Sequence, residues 1–194
     1  MNIPQPKFRH LGDRLVHRGY IWNVAVSTFE SPDGDLFERD IIRSPGAVGV
    51  VPVLFDNGVP TVVFVSQYRG PLDRLVLEVP AGMRDIPDEA LELTASRELA
   101  EEVGLTAGRL EYLTQFYPSA GMTDSILHLY LATDLQPVER DLHGPEETHM
   151  EVVYIPLSEA VELVVKGEIH DAKTVIGLLL VDRRWREGSL RPGP

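Results

Sequence analysis

The chain of 194 residues contains no cysteine, which excludes disulfides and thiolate-ligated metal or redox sites. Basic residues are scarce as well: 18 Lys and Arg stand against 30 Asp and Glu, a formal charge of -12. Such a field repels phosphodiester backbones and anionic lipid unless cations intervene, so neither a nucleic-acid nor a membrane partner is expected. No apolar run approaches the roughly 18 residues of a membrane span, and residues 1–7 lack the apolar core of a signal segment. A cytoplasmic location is expected on these grounds. His10, His17, His128, His143, His149 and His170 show no zinc-type spacing, and a structural role is expected for His128. There is no Walker loop and no Gly-x-Ser-x-Gly elbow.

With 43% hydrophobic and 25% charged residues, the chain has the material for one sizeable core. Residues 1–8 hold two prolines and read as a loose arm. Strands are expected at 20–26 and 36–42, an antiparallel meander broken by the turn residues 31–35. Valine-rich runs at 47–55 and 61–67 flank Asp56-Asn57-Gly58, which reads as a hairpin turn. Residues 89–103 have no internal Pro or Gly and end at Gly104, the pattern of a helix with a glycine cap. Strands at 110–116, 126–132 and 151–155 and helices at 157–166 and 171–181 complete an α+β fold.

The segment Arg97-Glu98-Leu99-Ala100-Glu101-Glu102-Val103-Gly104-Leu105 carries the strongest chemical signal. Glu98 and Glu102, four apart, project from one helix face, with Glu101 beside them. Like charges so spaced destabilise a helix by about 0.2–0.5 kcal/mol per pair, and a hard divalent cation would turn that repulsion into ligation. A solvated acidic face is the competing reading for three glutamates alone. Upstream, Leu77-Glu78-Val79-Pro80-Ala81-Gly82 leads into this helix. Gly82 allows close backbone approach, and the Ala81 carbonyl is a possible oxygen ligand.

Gly82, Glu89, Arg97-Glu98-Leu99, Glu101-Glu102 and Gly104-Leu105 together resemble the Nudix hydrolase signature, G-x5-E-x7-R-E-U-x-E-E-x-G-U with U bulky and aliphatic. Every fixed position agrees, with one extra residue between Gly82 and Glu89. The resemblance implies a Nudix-type α/β/α sandwich with a mixed sheet and an N-terminal antiparallel β wing. Its expected boundaries are an arm and dimer-forming wing at 1–45, the hydrolase domain at 46–184, and a flexible tail at 185–194. It implies Mg²⁺, with Mn²⁺ as a substitute, held by Glu98, Glu102, Glu101 and the Ala81 carbonyl, and a Glu89–Arg97 ion pair that orients the helix.

Flanking stretches are similar to the ADP-ribose pyrophosphatase branch: Glu38 to Val48, Ser66-Gln67-Tyr68-Arg69, and Pro118-Ser119-Ala120-Gly121-Met122-Thr123-Asp124. The branch implies a homodimer and a pyrophosphohydrolase that converts ADP-ribose, or a related nucleoside diphosphate sugar, to AMP and ribose 5-phosphate. Arg39, Arg69, Gly121 and Asp124 are then expected to bind substrate, with Asp124 one methylene shorter than the branch's glutamate. Guanidinium forks suit phosphate, although surface ion pairs explain either arginine equally well. The general base would come from Glu147 or Glu146, with Glu101 contributing to catalysis. Trp22, Phe29 and Phe37 are candidates for stacking on a base or, alternatively, for packing. The alternatives are a hydrolase of GDP-mannose or another nucleotide sugar, and a non-catalytic ADP-ribose-sensing module.

Overall fold

The computed structural model describes residues 7–141 and 148–191. It divides into two compact units, Met1–Gly46 with Tyr117–Ile126, and Ala47–Phe116 with Leu127–Pro194.

The first unit holds a three-stranded antiparallel sheet, in the order β1 (Arg9–Arg18), β2 (Asn23–Glu30), β3 (Leu36–Arg43). Two of these are the expected meander, and β1 is an addition. Its pairing with β2 slips between His10 and Gly12 and between Leu15 and His17, so the two-residue alternation that marks a strand in sequence is broken there. Every β1 residue is exposed. Phe29 and Phe37 stack with centroids 5.5 Å apart.

Arg43 ties this unit together. Its guanidinium donates to Asp13 through Nε and Nη2, each at 2.9 Å, and to Asp124 at 3.1 Å. That contact, with the Ser27 hydroxyl, holds the Asp13 carboxyl well below the usual carboxylate range.

The second unit is built on a seven-stranded mixed sheet. Its main path runs β10 (Glu151–Pro156), β5 (Val59–Arg69), β4 (Ala47–Asp56), β9 (Leu127–Pro137), β8 (Leu105–Phe116). Short strands β6 (Arg74–Glu78) and β7 (Ala81–Met83) pair with β5 and β4, and only β4 and β9 run parallel. Alternation along β4 explains the layers. Val48 and Val50 join Ala95 and Leu99 of α1 (Leu91–Val103). Val51 and Val53 join Leu157 and Ala160 of α2 (Leu157–Val165) and Leu178 and Val181 of α3 (Ala172–Arg186). The sheet is thus covered on both faces, as the α/β/α sandwich requires. Burying a side chain such as Leu99 or Leu178 contributes about 1.5–3 kcal/mol.

The C-terminal stretch departs from the expected flexible tail. Helix α3 passes the expected end at residue 181 and reaches Arg186; Ser189 and Leu190 amides then bond the Arg184 carbonyl. Leu190 is buried in the core beside Val181, so residues 185–190 are held by packing and hydrogen bonds despite their polar composition.

Candidate metal and phosphate site

Helix α1 owes its placement to a stripe of period four: Ala95, Leu99 and Val103 are buried, and each follows a second buried residue, Thr94, Glu98 or Glu102. Packing the apolar members against β4 carries the two glutamates inward with them. Gly104 ends the helix at φ 67°, a left-handed conformation that glycine adopts without steric penalty.

Glu102 accepts a hydrogen bond from the Ala81 amide at 2.9 Å. Glu98 lies against Gly82 so closely that a Cβ there would overlap its carboxylate. The Pro80-Ala81-Gly82 turn is therefore shaped to the helix face: one peptide meets one glutamate, and a missing side chain makes room for the other. Burial pushes the Glu102 carboxyl up to about 8, against the Ala81 hydrogen bond and with the neighbouring Glu98 charge adding to it. Burial likewise pushes Glu98 up to about 7, against the pull of Arg97. Both groups thus lack enough cationic charge to be fully ionised at neutral pH.

Arg97 bonds Glu89 at 3.4 Å, so the expected pair is formed. The same guanidinium also reaches Glu98 at 2.8 Å and Glu101 at 3.0 Å. With the exposed Asp85 at 3.5 Å, one cation is shared among four carboxylates. Glu89 is fixed from a second side by the Thr94 hydroxyl at 2.8 Å, which with Arg97 lowers its pKa. Glu101 therefore points to Arg97, and among the described residues no group of three His, Asp or Glu side chains is gathered to hold an ion.

The donor set is all oxygen: two buried carboxylates, their neighbour Glu101 and the backbone of Ala81. That chemistry, with the close approach of Glu98 to Gly82 and the upward push on both buried carboxyls, fits a hard divalent cation such as Mg²⁺.

Of the substrate-binding candidates, only Arg69 belongs to the same unit as the helix. It forms a two-pronged pair with Glu78, Nε to Oε1 and Nη2 to Oε2, both at 2.7 Å. Arg39, Gly121 and Asp124 lie in the first unit. There Arg39 stacks over Phe37 at 4.8 Å and Gly121 is exposed in a turn. Asp124 receives Arg43 at 3.1 Å and the Ser44 amide at 3.0 Å. Glu146 and Glu147 lie outside the described residues.

Sequence reasoning missed the buried partner of Glu78. Lys173, in the first turn of α3, is 7% exposed and bonds Glu78, with Asp171 at 3.1 Å on its other side. Burial raises the Glu78 pKa, but Arg69 and Lys173 outweigh it and the net shift is downward. A signal was present: a lysine at a helix N-terminus opposes the helix dipole and asks for an anionic partner.

Residues 43–176 match the NUDIX domain. An ADP-ribose pyrophosphatase of Bacillus subtilis (strain 168) is 38% identical over 163 residues, which cover 84% of this chain and 86% of that protein. A methanol dehydrogenase activator of Bacillus methanolicus is 34% identical over the same shares of both chains. Among solved structures, "Crystal structure of ADP compounds hydrolase" has a TM-score of 0.79 at 25% identity, covering 97% of this chain and 98% of that one. With the domain spanning well over half of the sequence, and relatives of this identity along most of it, the chain belongs to the Nudix hydrolase family and is an enzyme of that family.

Proposed function

We propose that the protein is a Mg²⁺-dependent pyrophosphohydrolase that cleaves ADP-ribose, or a closely related nucleoside diphosphate sugar, to AMP and ribose 5-phosphate. The observation that carries this reading is the pair of buried, undercompensated glutamates, Glu98 and Glu102, set against the Ala81-Gly82 turn. Similarity to the Bacillus subtilis ADP-ribose pyrophosphatase supports the substrate class.

In this reading Glu98, Glu102, Glu101 and the Ala81 carbonyl hold the cation, for which Mn²⁺ can substitute. The bound cation supplies charge neutralisation of the diphosphate and polarisation of its oxygens. Arg97 shares out the remaining negative charge and keeps the helix face in register with Glu89. Arg69, held at a fixed angle by Glu78, has a further guanidinium nitrogen to offer a phosphate oxygen. Glu147 or Glu146 takes a proton from the attacking water, Arg39, Gly121 and Asp124 contact the remainder of the substrate, and the enzyme works as a cytoplasmic homodimer with residues 1–45 as its dimer-forming wing.

A panel of nucleotide sugars incubated with Mg²⁺, with products resolved by mass, tests the proposal. ADP-ribose yielding AMP and ribose 5-phosphate at the highest kcat/KM is the expected result. Preferred cleavage of GDP-mannose would move the assignment to that sugar, and ligand binding without turnover across the panel would favour a sensing role.

A further inference from the structure

Just before Ala81-Gly82 the chain meets a second set of charges, of which the proposed reaction uses Arg69 but neither Glu78 nor Lys173. Glu78, at the end of β6, is 2% exposed and carries two cations: Arg69 on both oxygens at 2.7 Å, and Lys173 on Oε2. The neighbouring Thr174 accepts the Val79 amide at 2.9 Å and donates to Asp171 at 2.6 Å. Asp171 in turn caps α3 through the Thr174 amide at 3.0 Å and bonds Lys173 at 3.1 Å. The first turn of α3 is thus bonded to the strand exit at two consecutive residues, Glu78 by its side chain and Val79 by its backbone.

The next two residues are pinned from elsewhere. The Pro80 carbonyl accepts the Val50 amide at 2.9 Å, and the Ala81 amide donates to Glu102 at 2.9 Å. Four consecutive residues, Glu78 to Ala81, are held by α3, β4 and α1. Lys173 can reach because α3 sits close to the sheet: a Cβ at Gly177 would come within 2.6 Å of Val51, and one at Gly49 would touch the Lys173 stem at 3.6 Å. Glu78 and Lys173 are tolerable as ions at this depth only because they are bonded to each other and, for Glu78, to the more exposed Arg69, so removing one partner leaves the other undercompensated.

We propose that Lys173 is a positioning residue for the metal-binding turn: by bonding Glu78 beside the Thr174–Val79 bond, it fixes the backbone that sets the Ala81 peptide against Glu102. Its bond is to Glu78 and not to the glutamates of the metal site, although its charge is also felt at Glu102. The inference rests on the metal site proposed above, and deepens it by placing the site's support on the opposite helix layer.

The test uses the full-length protein. Lys173→Met and Lys173→Arg are compared with wild type by Mn²⁺ titration calorimetry without substrate, by amide hydrogen exchange at Val79 and Ala81, and by the separation of kcat from KM. Lys173→Met is expected to lose affinity for Mn²⁺ by about tenfold or more, in the range seen when outer partners of metal ligands are removed. Exchange at the two amides speeds up, kcat falls by a similar factor with KM moved less, and Lys173→Arg restores most of each loss. Wild-type Mn²⁺ affinity and exchange in folded Lys173→Met would overturn the proposal. Should Lys173→Met not fold, the neutral double variant Glu78→Gln/Lys173→Met replaces it, and wild-type Mn²⁺ affinity there is equally fatal. Wild-type protein that binds Mn²⁺ but turns over no nucleotide sugar would sink the proposed reaction alone, leaving the role of Lys173 to be judged by the calorimetry and exchange.

Discussion

The Ala81 amide donates to Glu102 at 2.9 Å, joining the first residue of β7 to the last full turn of α1 across 21 residues of sequence. This bond places the turn's peptide beside a carboxylate that burial has pushed up to about 8.

Replacing Glu102 separates function from stability. Glu102→Gln keeps an oxygen to accept the Ala81 amide but cannot ionise. Turnover of ADP-ribose is expected to fall at least about a hundredfold, the scale of a lost electrostatic contact at a reacting centre. Metal-free thermal stability at pH 8 is expected to rise, because a buried charge is removed. Undiminished turnover would defeat the metal assignment.

The pH dependence of stability follows from the same two groups. The folded pKa values of Glu98 and Glu102, about 7 and about 8, exceed the unfolded value of 4.5. Their contribution is fully present below pH 4.5 and is lost as pH rises toward 8, since the unfolded chain then releases protons more readily than the folded one. Without metal, Tm should drop between pH 5 and pH 8 relative to the Glu98→Gln/Glu102→Gln variant. Millimolar Mg²⁺ should raise Tm more at pH 8 than at pH 5. Calorimetric scans in EDTA and in Mg²⁺ provide the measurement.

Arg97 is the shared counter-charge of Asp85, Glu89, Glu98 and Glu101. Its side chain is 25% exposed, so Arg97→Met should cost about 2–3 kcal/mol, less than the loss of one partner from a fully buried pair. The loss should show in urea unfolding at pH 7.5 and shrink at pH 5, where more of the freed carboxylates are protonated.

Gly82→Ala tests the fit of the turn. The added methyl would overlap the Glu98 carboxylate, which must move away. Mn²⁺ affinity is expected to fall at least about tenfold. An unchanged titration curve would show that Glu98 does not need its place beside the turn.

Much of this arrangement was legible in the residues themselves. Helix α1, its glycine cap and the valine-rich strands β4 and β5 follow from periodicity and turn chemistry, while the Glu89–Arg97 pair was implied by the resemblance to the Nudix signature. Strand β1 was not, because its two bulges erase the alternation that a sequence pattern needs. The fixed positions of α3 beyond residue 181 were missed because a polar, arginine-rich end hides the buried Leu190 that anchors it.

What the sequence alone determined is the chemistry of the helix face: residue spacing puts Glu98 and Glu102 together whatever surrounds them, since 3.6 residues make a turn. Only the tertiary structure decided how far those carboxyls titrate and where Arg97 divides its charge. It also brought Lys173 to Glu78 across 95 residues of sequence. Burial and charge pairing depend on what the fold places within a few ångströms, and chain spacing carries no record of that distance.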